Sequence, residues 1–155
     1  MRPAPTVTYT VRRVDGKAEE KTLHALHTLT LPYDEHVDYG KGWWWIAYHG
    51  EELAGYAGSQ PARTQPNSVY FSRCGVLSGH RGKGLQLRLL SARTRHARTL
   101  GALACITTTH ENPQSGNNLI RAGFRLYTPE SPWGQPGTNY WRLNLPHPNE
   151  SNHVR

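Results

Sequence analysis

Apolar and polar positions change their period several times along the chain. Residues 6–14, "TVTYTVRRV", alternate and are rich in β-branched side chains, which predicts a strand. A turn at "DG" follows, and from about Glu19 the apolar positions Leu23, Leu26 and Leu29 take a helical spacing. "PYDEHVDYGKG" is polar with glycines near its end, a loop. "WWWIAYHGEELAGYAGSQPA" predicts two strands folded back at "HGEE" as a hairpin. "RTQPNS" is a loop and "VYFSRCGVL" a central strand.

From Leu85 to Leu100 the residues Leu85, Leu89, Ala92, His96 and Leu100 recur as one stripe of a helix, with Arg88, Arg95 and Arg98 away from it. "ALACITTT" is a short apolar run of the kind found in buried parallel strands. In "ENPQSGNNLIRAGF" Asn112 suits a helix cap, Pro113 the first helical position and Gly123 the end. "FRLY" and "YWRLNL" are strands on either side of the loop "TPESPWGQPGTN". The order is strand, helix, three strands, helix, strand, helix, two strands. That is a mixed α/β (α+β) domain over residues 1–145, with a polar tail at 146–155 expected to be disordered.

Composition narrows the class. The 155 residues suit one domain, and 36% hydrophobic with 19% charged residues suits a folded soluble one, expected in the cytoplasm. No apolar run approaches the roughly 20 residues that span a bilayer, and the N-terminus lacks the apolar stretch of a secretory signal. Cys74 and Cys105 sit in apolar strands, as buried thiols do. The nine histidines are scattered without a zinc-like spacing, so no metal is expected.

The net charge is +7, unevenly spread: eight of the eleven acids lie between Asp15 and Glu52, and the next is Glu111. Arg63, Arg73, Arg81, Lys83, Arg88, Arg93, Arg95 and Arg98 fill the gap. One part of the surface is therefore expected to be positive, which suits a nucleic acid or a small ligand with several phosphates.

The stretch "GVLSGHRGKGLQLRLL", residues 75–90, carries the clearest chemistry. A strand runs into a glycine loop and the loop opens a helix. The first amides of a helix lack internal acceptors and lie at the positive end of its dipole. Gly82 and Gly84 leave room for an anion, and Arg81 and Lys83 add charge. The spacing fits neither a nucleoside-triphosphate loop nor a dinucleotide fingerprint.

"V-L-S-G-H-R-G-K-G-L-Q", Val76 to Gln86, resembles motif A of the GNAT superfamily of N-acetyltransferases, R/Q-x-x-G-x-G/A after a strand. Arg81 and Gly84 match, as does Val76 in the strand. "ENPQSGNNLIRAGF" is similar to the family's N-x-x-A/S … G-F segment. The resemblance implies a central mixed, twisted sheet of about six to seven strands, splayed at its middle and flanked by about three to four helices. It implies acetyl-CoA as cosubstrate. Amides from Arg81, Gly82, Lys83, Gly84, Leu85 and Gln86 would hold the pyrophosphate, Val76 and Leu77 would pair with the pantetheine arm, and Asn112 and Ser115 would line the other wall. Gln86 departs from the Gly or Ala the family prefers. Leu119 stands where many members have a Tyr that protonates the departing thiolate.

Direct transfer to an amine needs a base for the amine, a donor for the thioester oxygen and a proton source for the thiolate. Glu35, His36, His110 and Glu111 are candidate bases, and Ser115, Tyr127, Tyr140 or water candidate acids. Asp34, Glu35 and Asp38 form a negative cluster on the expected acceptor side, fit to attract a cationic amine. The expected function is acetyl-CoA-dependent N-acetyl transfer to a primary amine in a ternary complex. The acceptor is a small molecule, a peptide or an aminoacyl-tRNA, and a homodimer stays open. The alternatives are a catalytically silent CoA-binding regulator or scaffold, and a nucleic-acid-binding module using the basic helix face.

Overall fold

The computed structural model describes residues 8–146; the polar tail expected from residue 146 onward falls, past Pro146, outside the described residues. The element order is that of the sequence pattern. It runs β1 (Tyr9–Val14), α1 (Glu20–Thr30), β2 (Trp43–His49), β3 (Glu52–Pro61), β4 (Ser68–Val76), α2 (Leu85–Thr99), β5 (Ala104–His110), α3 (Pro113–Arg121), β6 (Arg125–Leu126) and β7 (Thr138–Asn144). A 3₁₀ turn at Ser78–His80, not foreseen from the pattern, leads from β4 toward α2.

All seven strands form one mixed sheet in the order β1-β2-β3-β4-β5-β7-β6. β4 and β5 are parallel and the other neighbours antiparallel. Strands alternate their side chains between two faces, and helices cover both. Trp44, Ile46 and Tyr56 pack with Leu23 and Leu26 of α1 on one face. Trp45, Ala47 and Ala57 pack with Leu85 and Leu89 of α2 on the other. The triple tryptophan is thus core on both sides, Trp44 being 3% and Trp45 4% exposed. α3 covers the β4–β5–β7 end of the α2 face through Leu119, which packs with Val69, Phe71 and Trp141.

Two helical stripes are rotated from their expected positions. In α1 the buried residues are Leu23, Leu26 and His27, while Leu29 is exposed; i, i+3 and i+4 share a face and i+6 does not. In α2 they are Leu85, Leu89, Leu90, Arg93 and Ala97. Arg93, counted with the basic surface on sequence grounds, is therefore inside.

β4 and β5 pair only at Ser68↔Ala104, Val69↔Cys105 and Tyr70↔Ile106, then diverge. The divergence begins beside a bulge: Gly58↔Arg73 is followed by Ser59↔Phe71, which leaves Ser72 without a partner on β3. A bulge bends its strand and disrupts the ladder. Arg93 restores what the ladder loses, its Nη1 donating to the carbonyls of Gly58 at 3.2 Å and Arg73 at 3.4 Å. At the vertex of the gap Thr107 Oγ1 donates to Phe71 O at 2.8 Å. The sheet is intact at its base and open above it.

Candidate active site

Two connected cavities follow that opening. One, of about 600 Å³, lies between the start of α2 and α3 and touches Val76, Arg81, Gly82, Gly84 and Leu85. The other, of about 380 Å³, lies in the gap between β4 and β5 and touches Phe71, Arg73, Arg93, Thr107 and His110. Both are lined by Leu31, Cys74, Gln86, Asn112, Ser115 and Asn118, so they form one cleft that runs from a helix start into the split sheet.

The helix start is built as an anion cradle. Among the described residues none accepts from the amides of residues 82–87; the first α2 bond is Arg88 N to Gly84 O at 3.1 Å. Gly84 caps the helix at φ 77° and Gly82 has φ 75°, left-handed values that glycine adopts without strain. A Cβ built at either position meets nothing within 4 Å, so the space in front of the loop is open. Arg81 turns back, its Nε donating to Val76 O at 3.3 Å, and Lys83 is exposed outside both linings. The preceding turn is held by buried His80, whose Nδ1 pairs with the Tyr9 hydroxyl at 2.9 Å while its Nε2 lies 3.5 Å from Glu52.

Gln86 turns across to α3, where its Oε1 accepts from Asn118 Nδ2, rather than covering the amides. Asn112 caps α3 by accepting from Ser115 N at 3.1 Å, with Pro113 in the first turn. Leu77 lies outside both linings; its amide donates to Ala54 O.

The candidate catalytic residues separate into two groups. His110 and Ser115 line the cleft. His110 Nε2 donates to Pro136 O at 3.2 Å, which leaves Nδ1 as the basic nitrogen of a neutral ring. Glu35 and Tyr140 line neither cavity. Glu35 presents its carbonyl to Arg73, and the Tyr140 hydroxyl accepts from Gly134 N at 2.8 Å beneath the Trp133 ring. His36 stacks between His24 and His27 at 3.8 and 4.1 Å, also away from the cleft. Partial desolvation, then the two neighbouring imidazoles, lower its pKa below the usual histidine value.

Cys74 lines the cleft, yet burial raises its pKa, as burial pushes that of Cys105 up to about 12. Both are neutral thiols and poor nucleophiles. Reading the sequence missed Gln114, Asn117, Asn118 and Arg121 in the α3 wall. The signal was there: Asn118 and Arg121 follow Asn112 and Ser115 at steps of three, one stripe of a helix.

A sheet split between two parallel strands, with an unbonded helix start at the mouth of the split, presents an anion cradle that opens on a deep cleft. The chain belongs to the acetyltransferase (GNAT) family, whose model matches residues 12–124. The fold is shared with the IAA acetyltransferase from Bacillus cereus ATCC 14579, at 17% identity and TM-score 0.73 over 89% of this chain and 100% of that one. It is shared with a Bacillus subtilis acetyltransferase in complex with CoA, at 21% identity and TM-score 0.71 over 89% and 99%. A putative acetyltransferase from Salmonella typhimurium with its cofactor acetyl-CoA aligns at 20% identity and TM-score 0.71 over 90% and 95%. Among curated proteins no sequence matches.

Proposed function

We propose that this acetyltransferase moves the acetyl group of acetyl-CoA to a primary amine by direct attack within the cleft. The observation that carries the reading is the run of free amides at residues 82–87, opening on a cleft that continues into the split sheet. The residues fit a CoA diphosphate: unbonded N–H groups, two glycines in left-handed conformation, open space before them, and Arg81 and Arg121 on the same lining. Bound there, acetyl-CoA supplies the activated acyl group.

The remaining work falls to the chain itself. The edge of β4 beyond Tyr70, unpaired toward β5, offers main-chain donors beside the gap, where negative charge on the acyl oxygen needs them. His110 Nδ1 takes the proton of the amine, and Ser115 is the hydroxyl present on the wall opposite. Asp34 on the rim draws a cationic acceptor.

The test is calorimetric titration with CoA, followed by thiol release from acetyl-CoA over a panel of amines. Micromolar binding and amine-dependent release are expected; no binding overturns the reading. Leu119, 4% exposed at the position where the family resemblance implies a Tyr, favours a second reading, a silent CoA-binding protein. Coenzyme binding with no release on any amine would establish it. The basic face gives less support to a nucleic acid partner: Arg95 and Arg98 are exposed, but Arg88 is tied to Tyr9 O at 2.7 Å.

A further inference from the structure

The cavity in the split sheet is lined by two arginines that no carboxylate among the described residues pairs with. Arg93 is 3% exposed and lines that cavity from the α2 side. Its partners are all uncharged: the carbonyls of Leu89, Gly58 and Arg73, and the Phe71 ring 4.5 Å below the guanidinium carbon. Arg73 lines the same cavity from β4 and reaches toward the α1 face, where Nη2 donates to Glu35 O at 3.2 Å. Its Nε is buried and has no partner. Among the described residues the one ion pair is His80 with Glu52, so neither arginine has a carboxylate within 4.0 Å.

A cation taken out of water without a counter-ion is costly, and carbonyl dipoles offset that cost only in part. The bulge explains what Arg93 does for the strand. It does not explain a second guanidinium on the same cavity with an idle donor. A carboxylate entering from the α1 side would meet the planar fork of Arg73, with the charge of Arg93 deeper, on the α2 side of the gap. Asp34 lies on the same lining, and being exposed it is free to meet an ammonium group. The cavity thus presents both signs of charge.

We propose that the acceptor is an amine that also carries a carboxylate, an amino-acid-like substrate, with Arg73 binding the carboxylate and Arg93 supplying fixed positive charge behind it. The proposal rests on the transferase reading above and names its substrate class. Arg73 is the specificity-determining residue. Its idle Nε and the charge of Arg93 discriminate against the same amine with its carboxylate converted to a neutral amide.

The experiment pairs the α-amino acids with their carboxamides, using acetyl-CoA and thiol release. At least one free acid is expected to exceed its amide by about tenfold or more in kcat/KM. In Arg73→Gln that ratio collapses toward one, and Arg73→Lys restores part of it. Amides that match or exceed their acids overturn the proposal. So does a ratio unchanged in Arg73→Gln, or coenzyme binding with no acid turned over. Succinyl-CoA preferred over acetyl-CoA with a carboxylate-free amine would put the anion on the acyl group, and also overturns it.

A second readout needs no coenzyme. The arginine Nε–Hε resonances of the full chain should shift with the preferred acid and stay still with its amide; immobility with both overturns the site. A chain that shows the shifts but binds no CoA keeps this site and overturns the transferase reading instead.

Discussion

At the level of single residues the cleft depends on backbone more than on side chains. Gly84 has open space around it, so replacing it by alanine tests conformation alone. An L-residue held at φ 77° costs about 1–2 kcal/mol. Gly84→Ala is expected to lower the unfolding free energy measured in urea by that amount and to weaken CoA binding by about tenfold, measured by calorimetry. Gln86 makes the opposite prediction. Its side chain stands at the junction of the two cavities, tied to Asn118, on the path a long cosubstrate would take. Gln86→Ala is expected to tighten CoA binding severalfold, and weaker binding would show the tie to be part of the site. The two cysteines should differ in reactivity. Cys105, buried and pushed up to about 12, should not react with a disulfide reagent at pH 8 until the chain unfolds, and Cys74, half-buried on the cleft with its pKa raised, should react more slowly than a free thiol.

Among the elements the parting of β4 from β5 is decisive. It is fastened at its vertex by Thr107 Oγ1 on Phe71 O, in surroundings where Thr107 is 9% exposed. Thr107→Val leaves that carbonyl without its donor and should cost about 1–3 kcal/mol in urea unfolding. Much of this level was legible in the sequence. Alternation, glycine turns and the Asn112–Pro113 cap located every α-helix and strand among the described residues, because these are local signals. The cradle was legible for the same reason: strand, glycines and helix are adjacent in the chain. What depended on three dimensions was not legible. The bulge at Ser72, the inward turn of Arg93 and the crossing of Gln86 to Asn118 each join residues far apart in sequence. Glu35 was a reasonable candidate for the acceptor side. Its main chain reaches Arg73 while its side chain lies outside both cavities.

For the whole molecule, charge and protonation set the working range. His96 packs against the rings of Trp43 and Trp45 at 5.0 and 5.3 Å, and its Nδ1 is buried without a partner. Desolvation by burial, then the nearby Arg13, lower its pKa, and His36 is lowered as well. Below 6.5 the unfolded chain therefore binds more protons at these sites than the folded one, so stability rises with pH across the window beneath 6.5 and levels off above it. The Tm is expected to fall between pH 7 and pH 5, and His96→Gln should flatten part of that slope. A Tm that rose on acidification would contradict the assignment.

The two central tryptophans have a use of their own. Trp44 and Trp45 are chain neighbours, yet one lies in the α1 layer and the other in the α2 layer. Variants retaining one emitter or the other would give separate optical channels for the two halves of the protein. Coincident melting curves would mean that both halves let go together. Staggered curves would identify the half that loosens first.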